Sequence, residues 1–347
     1  MMGELSVKKR WLVLENGKIF EGAAFGAESA GQCAGEVVFS TNMAGFTETV
    51  TDPAYAGQIV AQTFPLIGNC GICPADYESA KPLLAGYIAK EWCQTPSHFT
   101  CTGTLDAFLQ QHGIPGLCGI DTRALTKLLR SEGAMRGAIT DDPASVSFEG
   151  REIGTAGVTE PMNYPAENAQ YKVLVWDFGV KNSVIRKLNA LGCDVKIVPA
   201  GYAAVFDCLD VDGVFLPDGP GDPRKYETII DEMHGPMAVG KPIFAVGLGH
   251  QLLALANGGG IVKLHYGHRG SYSVRDAASG KTVITSQNHG YAVDMDKLPQ
   301  GATASFTNVN DGTCEGLDYA NPNMFSVQFE PTPEQYQRFV ASMKGGA

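Results

Sequence analysis

The stretch Lys241–Ala256, KPIFAVGLGHQLLALA, sets the terms for the rest of the chain. Pro242 to Val246 is a short apolar run suited to a buried parallel strand. Gly247-Leu248-Gly249 breaks it, and His250 to Ala256 is rich in helix formers. Strand, sharp turn and helix in immediate succession describe a nucleophile elbow, in which a strained residue projects at the top of an α/β sheet. The backbone N–H groups that follow it face developing negative charge. The central residue here is Gly247, which has no side chain to project.

At 347 residues the chain is long enough for two domains of ordinary size. A net charge of −11 argues against a nucleic-acid partner or an anionic membrane surface, and no apolar run approaches the ~20 residues of a membrane span. The N-terminal stretch passes directly into a strand pattern without a signal-like apolar core, so the expected location is the cytoplasm. The nine cysteines are scattered, and an odd number in this context reads as reduced thiols. Cys70 and Cys73 form one C-x-x-C with no second pair or suitably spaced histidines to complete it, so no metal site is expected.

Residues 1–150 read as a mixed β and α domain. Trp11–Glu15 and Lys18–Glu21 flank Asn16-Gly17, which predicts a hairpin closed by a type I′ turn. A strand is expected over Gln58–Thr63, ending at Pro65, and a helix after the cap Asp121. Residues 151–170 lose periodicity and carry prolines, which reads as a linker. Beyond it, over 171–347, the class changes. Strands at Lys172–Trp176, Val195–Val198, Gly213–Leu216 and Ile243–Val246 alternate with helical segments, the first running through Asn182–Leu191 to Gly192. This pattern implies an α/β, doubly wound, largely parallel sheet with its ligand site beyond the carboxyl ends of the strands. Asp218-Gly219-Pro220-Gly221-Asp222-Pro223 and the elbow both fall there.

Those two motifs, followed by Tyr266–Gly270 and Ser286–Asp294, resemble a class I glutamine amidotransferase domain. Together with Phe39–Phe46, Thr51-Asp52-Pro53, Pro65–Asn69 and Gly119–Arg123, they make nearly the whole chain resemble the small subunit of carbamoyl-phosphate synthase. The resemblance implies glutamine hydrolysis through a cysteine thioester, with ammonia passed to a large subunit that makes carbamoyl phosphate. ATP and Mg²⁺ belong to that large subunit, and no cofactor is expected on this chain. A histidine and a carboxylate would support the thiolate, and backbone donors the oxyanion.

The family pattern G-I-C-L-G-H-Q falls on Ala245–Gln251, so the cysteine position is Gly247. Q-G-H-P-E falls on Gln328–Thr332, so Glu330 and Thr332 stand at the histidine and glutamate positions. The last histidine of the chain is His289, which agrees with that register. The resemblance places glutamine against Asn42, Gly219, Gly221, Leu248, Gln251, Asn288, Gly290 and Tyr291, although turn geometry alone would also account for the glycines. Asn42 stands where many members have a serine, and Gly270–Val274 departs from G-x-N-H-P-V.

With all three triad positions substituted, the expectation is a small subunit without glutaminase activity that supports ammonia-dependent synthesis by a large subunit. A non-enzymatic glutamine-binding or regulatory relative is the alternative. An active hydrolase with relocated residues is the third reading.

Overall fold

The computed structural model describes residues 8–28, 32–149, 156–202 and 207–344. The chain divides into two compact units, Met1–Ile153 and Gly154–Ala347. Strands and helices are numbered here in chain order.

The first unit is a closed barrel of β1 (Lys9–Leu14), β2 (Ile19–Gly26), β3 (Gln32–Ser40), β4 (Gln58–Ile67), β5 (Gly86–Trp92), β6 (Pro115–Cys118) and β7 (Met135–Thr140), in the order β1-β2-β6-β5-β4-β3-β7. Helices α1 (Phe46–Thr51), α2 (Leu105–Gln111) and α3 (Thr122–Glu132) complete it. Asp121 caps α3 as its sequence suggests, accepting from the Ala124 N–H at 2.9 Å.

Two local expectations for this unit are corrected. The β1–β2 turn is not type I′, because only Gly17 has positive φ, at 83°. The Gly17 N–H donates to the Leu14 carbonyl, and the Leu14 N–H to that of Lys18. This is a type I turn followed by a glycine bulge, which needs one left-handed residue rather than two. Nor does β4 stop at Pro65. It continues to Ile67 through an irregularity in its pairing with β5 between Gln62 and Leu66, where a missing N–H is tolerated.

The second unit is built on one ten-stranded sheet. Its strands are β8 (Met162–Tyr164), β9 (Tyr171–Asp177), β10 (Cys193–Pro199), β11 (Gly213–Leu216), β12 (Ile243–Val246), β13 (Ile261–Asp276), β14 (Thr282–Val293), β15 (Thr303–Asn308), β16 (Cys314–Asp318) and β17 (Met324–Val327). The order is β14-β13-β15-β16-β17-β12-β11-β9-β10-β8. The α/β fold has a parallel centre, β10-β9-β11-β12-β17, extended by antiparallel strands on the β16 side.

Of the stretch read as a linker, 151–155 lies outside the described residues. Met162–Tyr164 forms the edge strand β8, antiparallel to β10, so part of 151–170 belongs to the sheet.

Helices α4 (Asn182–Ala190), α5 (Glu227–Glu232), α6 (His234–Val239), α7 (Leu248–Ala256) and α8 (Pro333–Lys344) cover the sheet. The alternation along β9 shows how. Val173 and Val175 pack into one core with Val184, Ile185 and Leu188 of α4 and Phe339 of α8. Leu174 and Trp176 pack into another with Ile229 of α5 and Leu252 and Leu253 of α7. Both faces of the central strands are therefore dry, and polar chemistry is displaced to the strand ends.

Candidate active site

The elbow is present in its full geometry. β12 ends at Val246, Gly247 adopts φ 54° and ψ −115°, and α7 begins at Leu248. Its N–H donates to the Val327 carbonyl at 3.0 Å, and its own carbonyl accepts from Gln251 in the first turn of α7. A side chain here would sit in the left-handed region that glycine alone occupies without cost. The neighbouring glycines answer to close approach. A Cβ on Gly249 would lie 2.4 Å from the Leu216 carbonyl oxygen, and one on Gly219 2.5 Å from that of Phe178. Backbone packing alone accounts for both, so neither marks a ligand.

Asp218 ends in the same place. Its Oδ1 accepts from the Gly219 N–H and from the Leu248 N–H, each at 2.8 Å. These donors belong to the loop after β11 and to the residue just past the elbow, the arrangement that stabilises an oxyanion in acyl transfer. The sequence motif places Asp218 at this end of the sheet, but nothing in it indicates which way the side chain turns.

Glu330, which the sequence register matches to the histidine position, follows β17 and is held by ions. Its carboxylate lies 2.9 Å from Lys187 Nζ and 3.4 Å from Lys181 Nζ, and its N–H donates to the Ser286 carbonyl at 2.9 Å. Burial opposes its ionisation, but Lys181 and Lys187 together hold the carboxyl below the usual carboxylate range. A carboxylate made less basic by two ammonium groups is a poor proton acceptor. Thr332, which the same register matches to the glutamate position, immediately precedes α8. Its N–H donates to Gln335 Oε1 at 2.9 Å, and its hydroxyl contacts Glu334 and Gln335. It serves the helix terminus and has no imidazole to orient.

Of the residues matched to glutamine binding, Leu248 and Gln251 are buried in α7. Gln251 Nε2 donates to the Tyr291 carbonyl at 2.8 Å and to Gln328 Oε1 at 2.9 Å, so that nitrogen is committed within the protein. Asn288 and Gly290 lie half-buried on β14, with Asn288 opposite Arg269 of β13. The Tyr291 ring faces the Arg224 guanidinium at 5.5 Å. Gly221 is left-handed at φ 96°. Asn42 belongs to the other unit, where it follows β3 and its carbonyl accepts from Gln62 Nε2 at 2.5 Å.

Behind the elbow is a buried polar group. His250 is fully buried, shares a 2.7 Å hydrogen bond with Ser326 Oγ, and is pushed down to about 3 by burial. His289, with Nδ1 on the Tyr291 carbonyl at 2.8 Å, is pushed down to about 4 for the same reason. His268, His289 and Glu315 each place a ligand atom within 4.8 Å of the others, close enough on distance to hold a cation. They have another way to balance charge. His268 lies 3.3 Å from Glu315 and 2.9 Å from Asp311, and against the effect of burial these carboxylates raise its pKa. The two carboxylates thus favour the charged form of the imidazole, which balances their charge without a metal.

An elbow at the head of a parallel sheet, with paired backbone donors and a site displaced to the strand ends, is the architecture of an α/β acyl-transfer site. The family model for glutamine amidotransferase class-I matches residues 174–337. The model for the carbamoyl-phosphate synthase small chain, CPSase domain, matches residues 12–139.

The chain is 43% identical to the carbamoyl phosphate synthase small chain of Syntrophotalea carbinolica, covering 93% of this chain and 92% of that one. It is 43% identical to that of Clostridium perfringens, over 93% and 94%, and 43% identical to that of Symbiobacterium thermophilum, over 92% of each. The chain belongs to the carbamoyl-phosphate synthase small chain family.

Proposed function

We propose that this chain is a small subunit that does not hydrolyse glutamine, and that it supports carbamoyl phosphate synthesis from free ammonia by a large subunit. The observation that carries the reading is Gly247, a side-chain-free residue at the apex of an otherwise complete elbow. Covalent catalysis needs a nucleophile at that point and a base beside it. In their places stand a glycine and a carboxylate clamped by two lysines. Losing nucleophile and base together leaves only what binding and backbone donors contribute.

The large subunit takes ATP and Mg²⁺, and this chain holds no cofactor of its own. Its place of work is the cytoplasm, a reading supported by the free state of every cysteine. Among the described residues no helix is long and apolar enough to cross a membrane.

The test is reconstitution with the large subunit from the same genome. Carbamoyl phosphate is expected from ammonium chloride and not from glutamine, and the chain alone should release no glutamate. Glutamate release above buffer, abolished by Glu330→Ala, would establish relocated hydrolytic chemistry in its place.

A further inference from the structure

We propose that Asp218 keeps glutamine out of this site by occupying the oxyanion hole with the chain's own carboxylate. The inference rests on the reading of the elbow as a site without glutaminase activity and adds the reason a ligand fails to enter it. Two independent observations converge on one oxygen atom. The first is hydrogen bonding, since Oδ1 accepts from both the Gly219 and the Leu248 N–H at 2.8 Å. The second is volume. A Cβ built on Gly247 would lie 2.1 Å from that same Oδ1 and 2.2 Å from Cγ, far inside van der Waals contact. The Asp218 side chain therefore fills the space into which an elbow nucleophile would project, and also takes the donors meant for the acyl oxygen.

A glutamine side chain must place its carboxamide oxygen on those two N–H groups to be held for attack. It would have to displace an acceptor that is covalently attached to the hole. An internal ligand is present at a high effective concentration, millimolar even on a flexible tether. An ionised acceptor also makes a hydrogen bond roughly twice as strong as a neutral amide does. On both counts Asp218 wins over free glutamine. Asp218 and Gly247 are then one structural unit. The carboxylate turns inward because no Cβ stands at 247, and a cysteine cannot return to 247 while it does.

The experiment uses the full-length chain and L-glutamine as the probe, read by isothermal titration calorimetry on the parent, D218A and the isosteric D218N. Both variants are expected to bind glutamine at least ten-fold more tightly than the parent, without hydrolysing it. Equal affinity across the three proteins, measurable or absent, would overturn the proposal. So would tighter binding by the parent.

A second arm measures Tm for G247C, D218A and the double variant. G247C should lower Tm by several degrees in the parent, and by much less when Asp218 is already alanine. The same loss in both backgrounds would show that the two side chains do not compete for space. Equal glutamine affinity without hydrolysis sinks only the exclusion by Asp218, whereas glutamate release by the parent sinks the underlying reading.

Discussion

Glu330 is held in place by two lysines of another element. Its carboxylate is 30% exposed and pairs with Lys187 at 41% and Lys181 at 15%, so solvent screens the pair and the expected contribution is about 1 kcal/mol. Glu330→Gln should therefore destabilise the protein by about that amount at neutral pH, as measured by urea unfolding. The pH dependence has a definite sign. The folded pKa lies below its ordinary value, so the contribution is full above the unfolded pKa, about 4.3. It is lost as pH falls through the folded value. Parent and variant should converge in acid, and a difference that persists there would assign the effect to packing. Lys181 and Lys187 were not legible as part of the site, because the residues that bring them to Glu330 are more than a hundred positions away in sequence.

At the scale of elements, α8 carries Tyr336 and Phe339 into the core on the α4 face, and its start depends on a local polar contact. The Thr332 N–H is satisfied by Gln335 Oε1 at 2.9 Å, the return half of a capping box. Gln335→Ala is expected to lower stability by about 1 kcal/mol and to leave ammonia-dependent synthesis unchanged. A loss of that synthesis at full stability would give the α8 start a role beyond capping.

In the second unit the strands most legible from sequence were those with apolar runs, β9 to β12, because a strand covered on both faces needs apolar residues throughout. The antiparallel extension was not. β13 and β14 are long and mostly polar, and their residues were legible as motifs rather than as strands. The short β8 is set by pairing with β10, which a three-residue segment does not announce. The turn after β1 was legible in its place and not in its type, since Asn-Gly also serves a turn in which only the glycine is left-handed. Gly247, Glu330 and Thr332 were legible because register alone locates them. Asp218 was not, because its role depends on which way one side chain turns into space left by another residue.

For the molecule as a whole, the buried histidines behind the elbow set a limit on acid stability. His250 and His289, pushed down to about 3 and about 4 by burial, stay neutral in the folded protein where the unfolded chain would protonate them near pH 6.5. The unfolded state then binds more protons, so stability falls as pH drops below about 6.5. At pH 5 the gap is about 1.5 units for each, or about 2 kcal/mol per histidine at 1.36 kcal/mol per unit. His268 works in the other direction. Its pKa is raised, against burial, by Glu315 and Asp311, so its contribution is full below the unfolded pKa and lost as pH rises through the folded value. That contribution is flat between pH 6.5 and 5, so the loss from the two lowered histidines stands unopposed there. His250→Asn places an amide near Nδ1, within reach of Ser326, and removes one titrating group. Unfolding free energies at pH 7 and pH 5 should therefore differ by about 2 kcal/mol less in this variant than in the parent. An unchanged difference would mean that His250 protonates in the folded state, and that the polar group behind the elbow is wetter than its burial indicates.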